Sequence, residues 1–299
     1  MREALLSLCR LCPRRCGADR LRGQAGYCKS GRGIKIARAA LHHWEEPPIS
    51  GENGSGAVFF SYCTMQCVFC QNYAISTLHR GKQVSVEEMA DVFLALQEQH
   101  AENINLVTPT HYVPQIIDAL DIARKGGLRL PVVYNTSGYE LPETLRLLEG
   151  YVDIYLPDFK YWADRYAVRY SNAPRYAEYA KAALAEMYRQ TGPPVLDGRG
   201  VMRKGVIVRH MLLPGLLFDA KKILDYLYKT YKHNIYISIM NQYTPLEHVR
   251  AYPEISRPVS AAYYGALLDY ASKIGIERAF IQEGGTVSES FIPAFYPGG

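Results

Sequence analysis

No apolar run in the sequence approaches the ~20 residues that a membrane-spanning helix needs, so an integral helical membrane protein is not expected. Neither sign of charge dominates: 34 Lys and Arg stand against 29 Asp and Glu, and the net +5 is spread along the chain. Without a clustered basic stripe, nucleic-acid binding is not expected either. The opening stretch "MREALLSLCRLCPRR" lacks the basic, apolar, small-residue order of a secretory signal, so the expected location is the cytoplasm, where thiols stay reduced. A glycine-rich phosphate fingerprint is missing after the first strand-like run, which excludes a dinucleotide-binding reading. Cysteine, finally, is absent from everything after position 70.

What remains is a globular composition, 48% apolar and 21% charged over 299 residues, enough for one large domain with a small appendage. Seven cysteines crowd into the first quarter, as Cys9, Cys12, Cys16 and Cys28 and then Cys63, Cys67 and Cys70. Disulfides are rare in reducing surroundings, and an odd count argues against complete pairing. Four and three therefore suggest two metal sites.

Beyond residue 50, short β-rich runs alternate with amphipathic helical segments, the pattern of a parallel sheet wrapped by helices. The runs are "GAVFFSY", "NINLVT", "LPVVYNT", "VDIYLP", "GVIVRHM", "NIYISIM" and "RAFIQEG". "SVEEMADVFLALQEQH" reads as a helix whose Ser85 and Glu88 form a capping box. The expected architecture is α/β: a partial (β/α)6 barrel of the TIM type over 51–299, preceded by a four-cysteine module and linker over 1–50. In barrels the chemistry gathers at the carboxyl ends of the strands. Polar residues stand at those ends here: Cys63, Thr108 and Thr110, Asn135 to Ser137, Asp158 and Lys160, Arg209 and His210, then Asn241 and Gln242.

Thiolate is a soft ligand suited to zinc and iron–sulfur clusters. A cubane has four irons, so three cysteines leave one iron open; a structural zinc ion would be closed by a fourth donor such as His79. Packed thiols without metal are the plainest alternative. The spacing Cys63-x3-Cys67-x2-Cys70 just after the first barrel strand, with Phe69 before the last cysteine, resembles the signature of the radical S-adenosylmethionine (radical SAM) enzymes. Within them the chain is similar to pyruvate formate-lyase activating enzymes and their uncharacterised relatives over roughly residues 55–285. The resemblance implies a [4Fe-4S] cluster on Cys63, Cys67 and Cys70 whose open iron binds S-adenosylmethionine. It also implies an oxidoreductase that cleaves the coenzyme reductively to a 5′-deoxyadenosyl radical, which abstracts hydrogen from a substrate. That substrate is a glycyl-radical enzyme, a peptide or a small molecule, and the electron comes from a flavodoxin or ferredoxin. Such donors are acidic, which suits the mild positive charge.

Carried over residue by residue, the resemblance places Phe69 against the adenine. "YNTSG" puts Asn135, Thr136 and Ser137 near the ribose or a monovalent cation. "LPDFK" and "VRHMLLPG" bring Asp158, Lys160 and Arg209 to the methionine carboxylate. The family's Gly-Gly-Glu, which holds the amino group, is replaced by "VTPTHY", where Thr108 and Thr110 offer hydroxyls instead.

In the N-terminal set, the consecutive Cys-x2-Cys-x3-Cys run favours an auxiliary cluster, and four thiolates equally close a zinc site. Arg14, Arg15, Arg20 and Arg22 surround these cysteines, to offset their charge or simply as a basic surface. The tyrosine-dense stretch 161–194 reads as largely helical, packed on the outside of the barrel. His111 and His210 lie nearest the rim, neither in a Ser/His/Asp constellation. A small anionic substrate is compatible with the charge, and a non-enzymatic metal-binding regulator or scaffold is the competing class.

Overall fold

The computed structural model describes residues 2–281. Its strands are β1 (Ile34–His42), β2 (Ser55–Phe60), β3 (Lys82–Val84), β4 (Ile104–Val107), β5 (Val132–Thr136), β6 (Ile154–Pro157), β7 (Val195–Leu196), β8 (Met202–Met211), β9 (Tyr236–Met240) and β10 (Ala279–Ile281). They form one sheet in the order β10-β9-β8-β6-β5-β4-β2-β1-β3, with β7 paired to β8. From β2 to β10 the neighbours along this path are parallel. Among the described residues the sheet does not close, since β3 and β10 form its two edges, and the partial barrel expected from sequence is what folds. The seven β-rich runs all become strands, and the last three residues of "RAFIQEG", 282–284, lie outside the described residues. The helix Val86–Glu98 carries both hydrogen bonds of its Ser85–Glu88 capping box.

Three strands went unread: β1, β3 and the two-residue β7, which pairs antiparallel with β8. β1 pairs antiparallel with β2, and β3 with β1, so Ile34–His42, which the sequence reading left in the N-terminal module and linker, extends the sheet. β1 then turns into Glu45–Glu46 and the short helix Pro47–Ser50. Ile49 of that helix is fully buried against Val133, Ile154, Leu156, Met202 and Ile207, an apolar floor across the interior. Side chains alternate along a strand, so the face that carries Val133, Leu156 and Ile207 carries Asn135, Asp158 and Arg209 two residues later. One interior therefore has an apolar floor and a charged middle. The helices pack the outer face into the main core.

Candidate functional site

At the carboxyl end of β2 the chain turns sharply through the cysteine loop. Tyr62 and Gln66 both adopt left-handed backbone, φ 73° and 62°, which lets the loop reverse within a few residues. Backbone bonds from Cys70 N to Cys67 O and from Val68 N to Tyr170 O hold it in place. Each sulfur accepts one donor: Cys63 from Met65 N at 3.4 Å, Cys67 from Ser171 Oγ at 2.9 Å, Cys70 from Ser76 Oγ at 3.4 Å. Ser171 is in turn bonded to the Tyr161 hydroxyl at 2.7 Å. Burial, with the neighbouring sulfurs adding to it, pushes the Cys67 thiol up to about 12 and the Cys70 thiol up to about 11. Phe69 is buried edge-on between Tyr161 and Tyr243.

A cavity of about 480 Å³ adjoins this loop, lined by Cys67, Phe69 and Cys70 of the loop and by Asn135, Asp158, Lys160 and Arg209 from the strand ends. The charged residues form a ladder. Lys160 Nζ bonds Asp158 Oδ2 at 2.6 Å, Arg209 Nε bonds Asp158 Oδ1 at 3.3 Å, and the other guanidinium nitrogens donate to Asn135 Oδ1 at 2.6 Å and Glu45 Oε2 at 3.1 Å. Burial alone would neutralise Asp158, but Lys160 and Arg209 outweigh it and hold its carboxyl below the usual range. Burial likewise opposes charge on Lys160, and Asp158 raises it nonetheless. Tyr176 braces the rim from behind: its hydroxyl lies 2.7 Å from Ser137 O and 3.0 Å from Asp158 O, and Lys160 N donates to it at 2.9 Å. Gly138 stands there at φ 76°, where an added Cβ would come within 2.2 Å of Asp158 O.

This geometry has counterparts among known proteins. The profile of the Radical SAM superfamily matches residues 57–227, more than half the chain. The chain belongs to the radical SAM superfamily. An uncharacterised protein of Methanocaldococcus jannaschii is 28% identical over 282 residues, 91% of this chain and 76% of that protein. Among solved structures, Streptococcus suis SuiB bound to the precursor peptide SuiA is similar at TM-score 0.51 and 12% identity over 75% of this chain. SuiB bound to S-adenosylmethionine gives 0.50 and 12% over 74%. This chain spans about half the length of SuiB, 47% and 48% in the two structures, and at such identity the likeness is one of fold.

Radical SAM membership implies a [4Fe-4S] cluster and S-adenosylmethionine, and the residues fit both. Three thiols rise from one loop, each with a hydrogen-bond donor of the kind that tunes cluster sulfur ligands. Next to them is a concave, mixed polar and aromatic space. Among the described residues no three His, Cys, Asp or Glu converge as the ligands of a single metal ion, so the loop offers its three thiols to a group larger than one ion.

Of the residues named from sequence, the structure brings Cys67, Cys70, Phe69, Asn135, Asp158, Lys160, Arg209 and Gln242 to one cavity, whose lining does not include Cys63. Thr110 and Thr136 are buried elsewhere, both donating to Glu140, whose carboxyl burial pushes up to about 7. Thr108 is half-buried with φ 60°, and its amide donates to Asn135 O. His111 and His210 bond Ser61 O and Phe159 O, each at 2.8 Å, and burial drives them down to about 3 and 4, so both are neutral at pH 7.

Sequence reasoning missed the residues of the β1 turn. Glu45 takes Arg209, Asn105 and Asn135, and Glu46, Trp44 and His42 line the cavity with it. The signal available was two acids before a Pro pair, but nothing in the pattern says that the turn points inward.

The four N-terminal cysteines cluster loosely: Cys9, Cys12 and Cys28 are buried, Cys16 exposed, and burial raises the Cys12 and Cys28 thiols, with other cysteines of the set adding to it. A Cβ on Gly26 would come within 2.3 Å of Cys16 Sγ. This segment rests on the cysteine loop, through Arg14 Nε to Thr64 O at 2.9 Å and the Tyr27 hydroxyl to Met65 O at 3.0 Å. Two of the arginines are structural: Arg14 stacks 3.8 Å over Tyr27, and buried Arg20 bonds Ser30 Oγ and the carbonyls of Gly31 and His111. Arg15 pairs with Glu143 at 2.5 Å and exposed Arg22 with Asp19 at 3.6 Å.

Proposed function

We propose that Cys63, Cys67 and Cys70 hold the [4Fe-4S] cluster, and that the cavity beside them takes S-adenosylmethionine together with the substrate. When bound, this pair supplies one-electron cleavage of a carbon–sulfur bond and abstraction of hydrogen. The chain's own residues bind, orient and shield. Phe69 offers a ring face for the adenine, Asn135 a polar edge, and Lys160 and Arg209 offer donors to a carboxylate. Tyr161, Ser171 and Tyr176 fix loop and rim. The observation that carries this reading is the convergence of two of the three thiols and the Asp158–Lys160–Arg209 ladder on one space of about 480 Å³.

A small molecule or a peptide side chain is the substrate class favoured by a concave space with a charged interior. SuiB was solved with a precursor peptide, which keeps peptides in view. Activation of a glycyl-radical enzyme is the more specific reading, and a radical signal on mixing with such a partner would establish it. Cys9, Cys12, Cys16 and Cys28 of the N-terminal module are proposed to hold a second centre, an auxiliary [4Fe-4S] cluster or zinc, and an acidic flavodoxin or ferredoxin to deliver the electron in the cytoplasm. No helix among the described residues is long and apolar enough to cross a membrane. The decisive experiment is anaerobic reconstitution and reduction: 5′-deoxyadenosine forms with the native chain and not with Cys67→Ala. Its absence from the native chain would favour a metal-binding scaffold.

A further inference from the structure

Glu46 is more than nine-tenths buried and lines the cavity, and it is the residue of that lining with a buried side-chain oxygen, Oε2, lacking a hydrogen-bond partner among the described residues. Ser238 serves its carboxylate from β9. Its neighbours are already committed. Glu45 is taken by Arg209, Asn105 and Asn135, and Asp158 by Arg209 and Lys160. The lining thus sets three carboxylates, Glu45, Glu46 and Asp158, against two cations, Lys160 and Arg209. His42 adds no charge at neutral pH, because burial, then Arg38, lowers its pKa.

A buried carboxylate with an unused oxygen carries a desolvation cost that a cationic partner removes. We infer that the charged middle of the cavity recognises an ammonium or guanidinium group of the substrate and that Glu46 receives it. The inference rests on the function proposed above and deepens it. An anionic substrate, compatible with the overall charge, would meet Glu46 with its counter-charges spent. Burial raises the Glu46 carboxyl against the pull of Arg209, and an arriving cation would act in the same sense as Arg209.

The test uses cluster-loaded protein with coenzyme and three probes of matched length, pentylammonium, butylguanidinium and pentan-1-ol, followed by ligand-observed NMR. The native chain binds at least one cation about tenfold or more tightly than the alcohol, the scale of a charge-assisted bond. Glu46→Gln, which keeps the shape, abolishes that preference and leaves coenzyme affinity within about threefold. Equal binding of cations and alcohol by the native chain overturns the inference whether or not the variant folds. So does a preference that survives in Glu46→Gln. A loss of coenzyme affinity of about tenfold in the variant also overturns it, because Glu46 then serves the coenzyme's amino group. Coenzyme cleavage by the native chain without any probe, measured in parallel, reports on the proposed function separately.

Discussion

The two cysteine sets share an element and little else. Cys63, Cys67 and Cys70 follow a central strand, each sulfur has its own donor, and two of them face a cavity with a charge ladder behind it. Cys9, Cys12, Cys16 and Cys28 lie on irregular chain packed over the outside of that loop, and none is among the described residues lining the cavity. A thiol set placed where guests can reach it is suited to chemistry. A set away from the cavity, three of its thiols buried and Cys16 exposed, is suited to holding a module together or passing an electron. Spacing alone shows neither difference; the surroundings do.

The sharpest way to break the comparison is to delete one sulfur from each set. On the proposed role of Cys67 as a cluster ligand, its replacement is expected to cost more than the ~10–100-fold typical of changes to residues that only support a ligand. Cys67→Ala should therefore reduce 5′-deoxyadenosine formation by more than about a hundredfold. Cys12→Ala should lower total iron or zinc while retaining the loop's iron by elemental analysis. Equal loss of cleavage in both would make the two sets one functional unit.

Arg209→Met comes next. It leaves Glu45 and Asp158 without their shared cation, and breaking a buried pair in this way costs about 3–5 kcal/mol, read from the urea midpoint. Coenzyme affinity should fall with it while metal at the N-terminal set stays. Gly138→Ala acts on the same rim through backbone. Left-handed φ and a Cβ forced against Asp158 O predict a loss of about 2–3 kcal/mol, again without change at the N-terminal cysteines.

The smallest effect lies where the two regions meet. His111 carries Arg20 on its carbonyl and Ser61 on its ring, joining the N-terminal segment to the end of β2. Its folded pKa is depressed from 6.5 to about 3, so below pH 6.5 the unfolded chain binds a proton that the folded chain refuses. Stability should fall as pH drops through that window, by at most about 1.4 kcal/mol per pH unit for one proton. Thermal midpoints of the native chain and His111→Gln between pH 7 and 5 should show the steeper acid slope only in the native chain.

Much of this site was legible before folding, and for physical reasons. Short, continuous β-rich runs place strands, strand ends place polar residues, and thiols three and four positions apart share a loop, which brings Cys67, Cys70, Asn135, Asp158, Lys160 and Arg209 to one cavity. Glu45 and Glu46 did not show themselves, because a turn between an antiparallel strand and a one-turn helix has no periodicity that tells inside from outside. β1 escaped for a similar reason: "IKIARAALH" shares the first fifty residues with the cysteine run, which drew the reading toward metal rather than sheet. Thr110 and Thr136 illustrate the converse. Their hydroxyls suit a polar guest on paper, and a buried Glu140 claims both.

The packing of Ile49 has a kinetic corollary. Ile49 and its neighbours fill one side of the interior with hydrocarbon, so a guest lodged at Glu46 and a nucleotide at the cysteine loop would share one space of about 480 Å³. Two guests in so small a space are expected to bind in a fixed order, which initial rates with nucleotide and substrate varied together would read as a compulsory sequence.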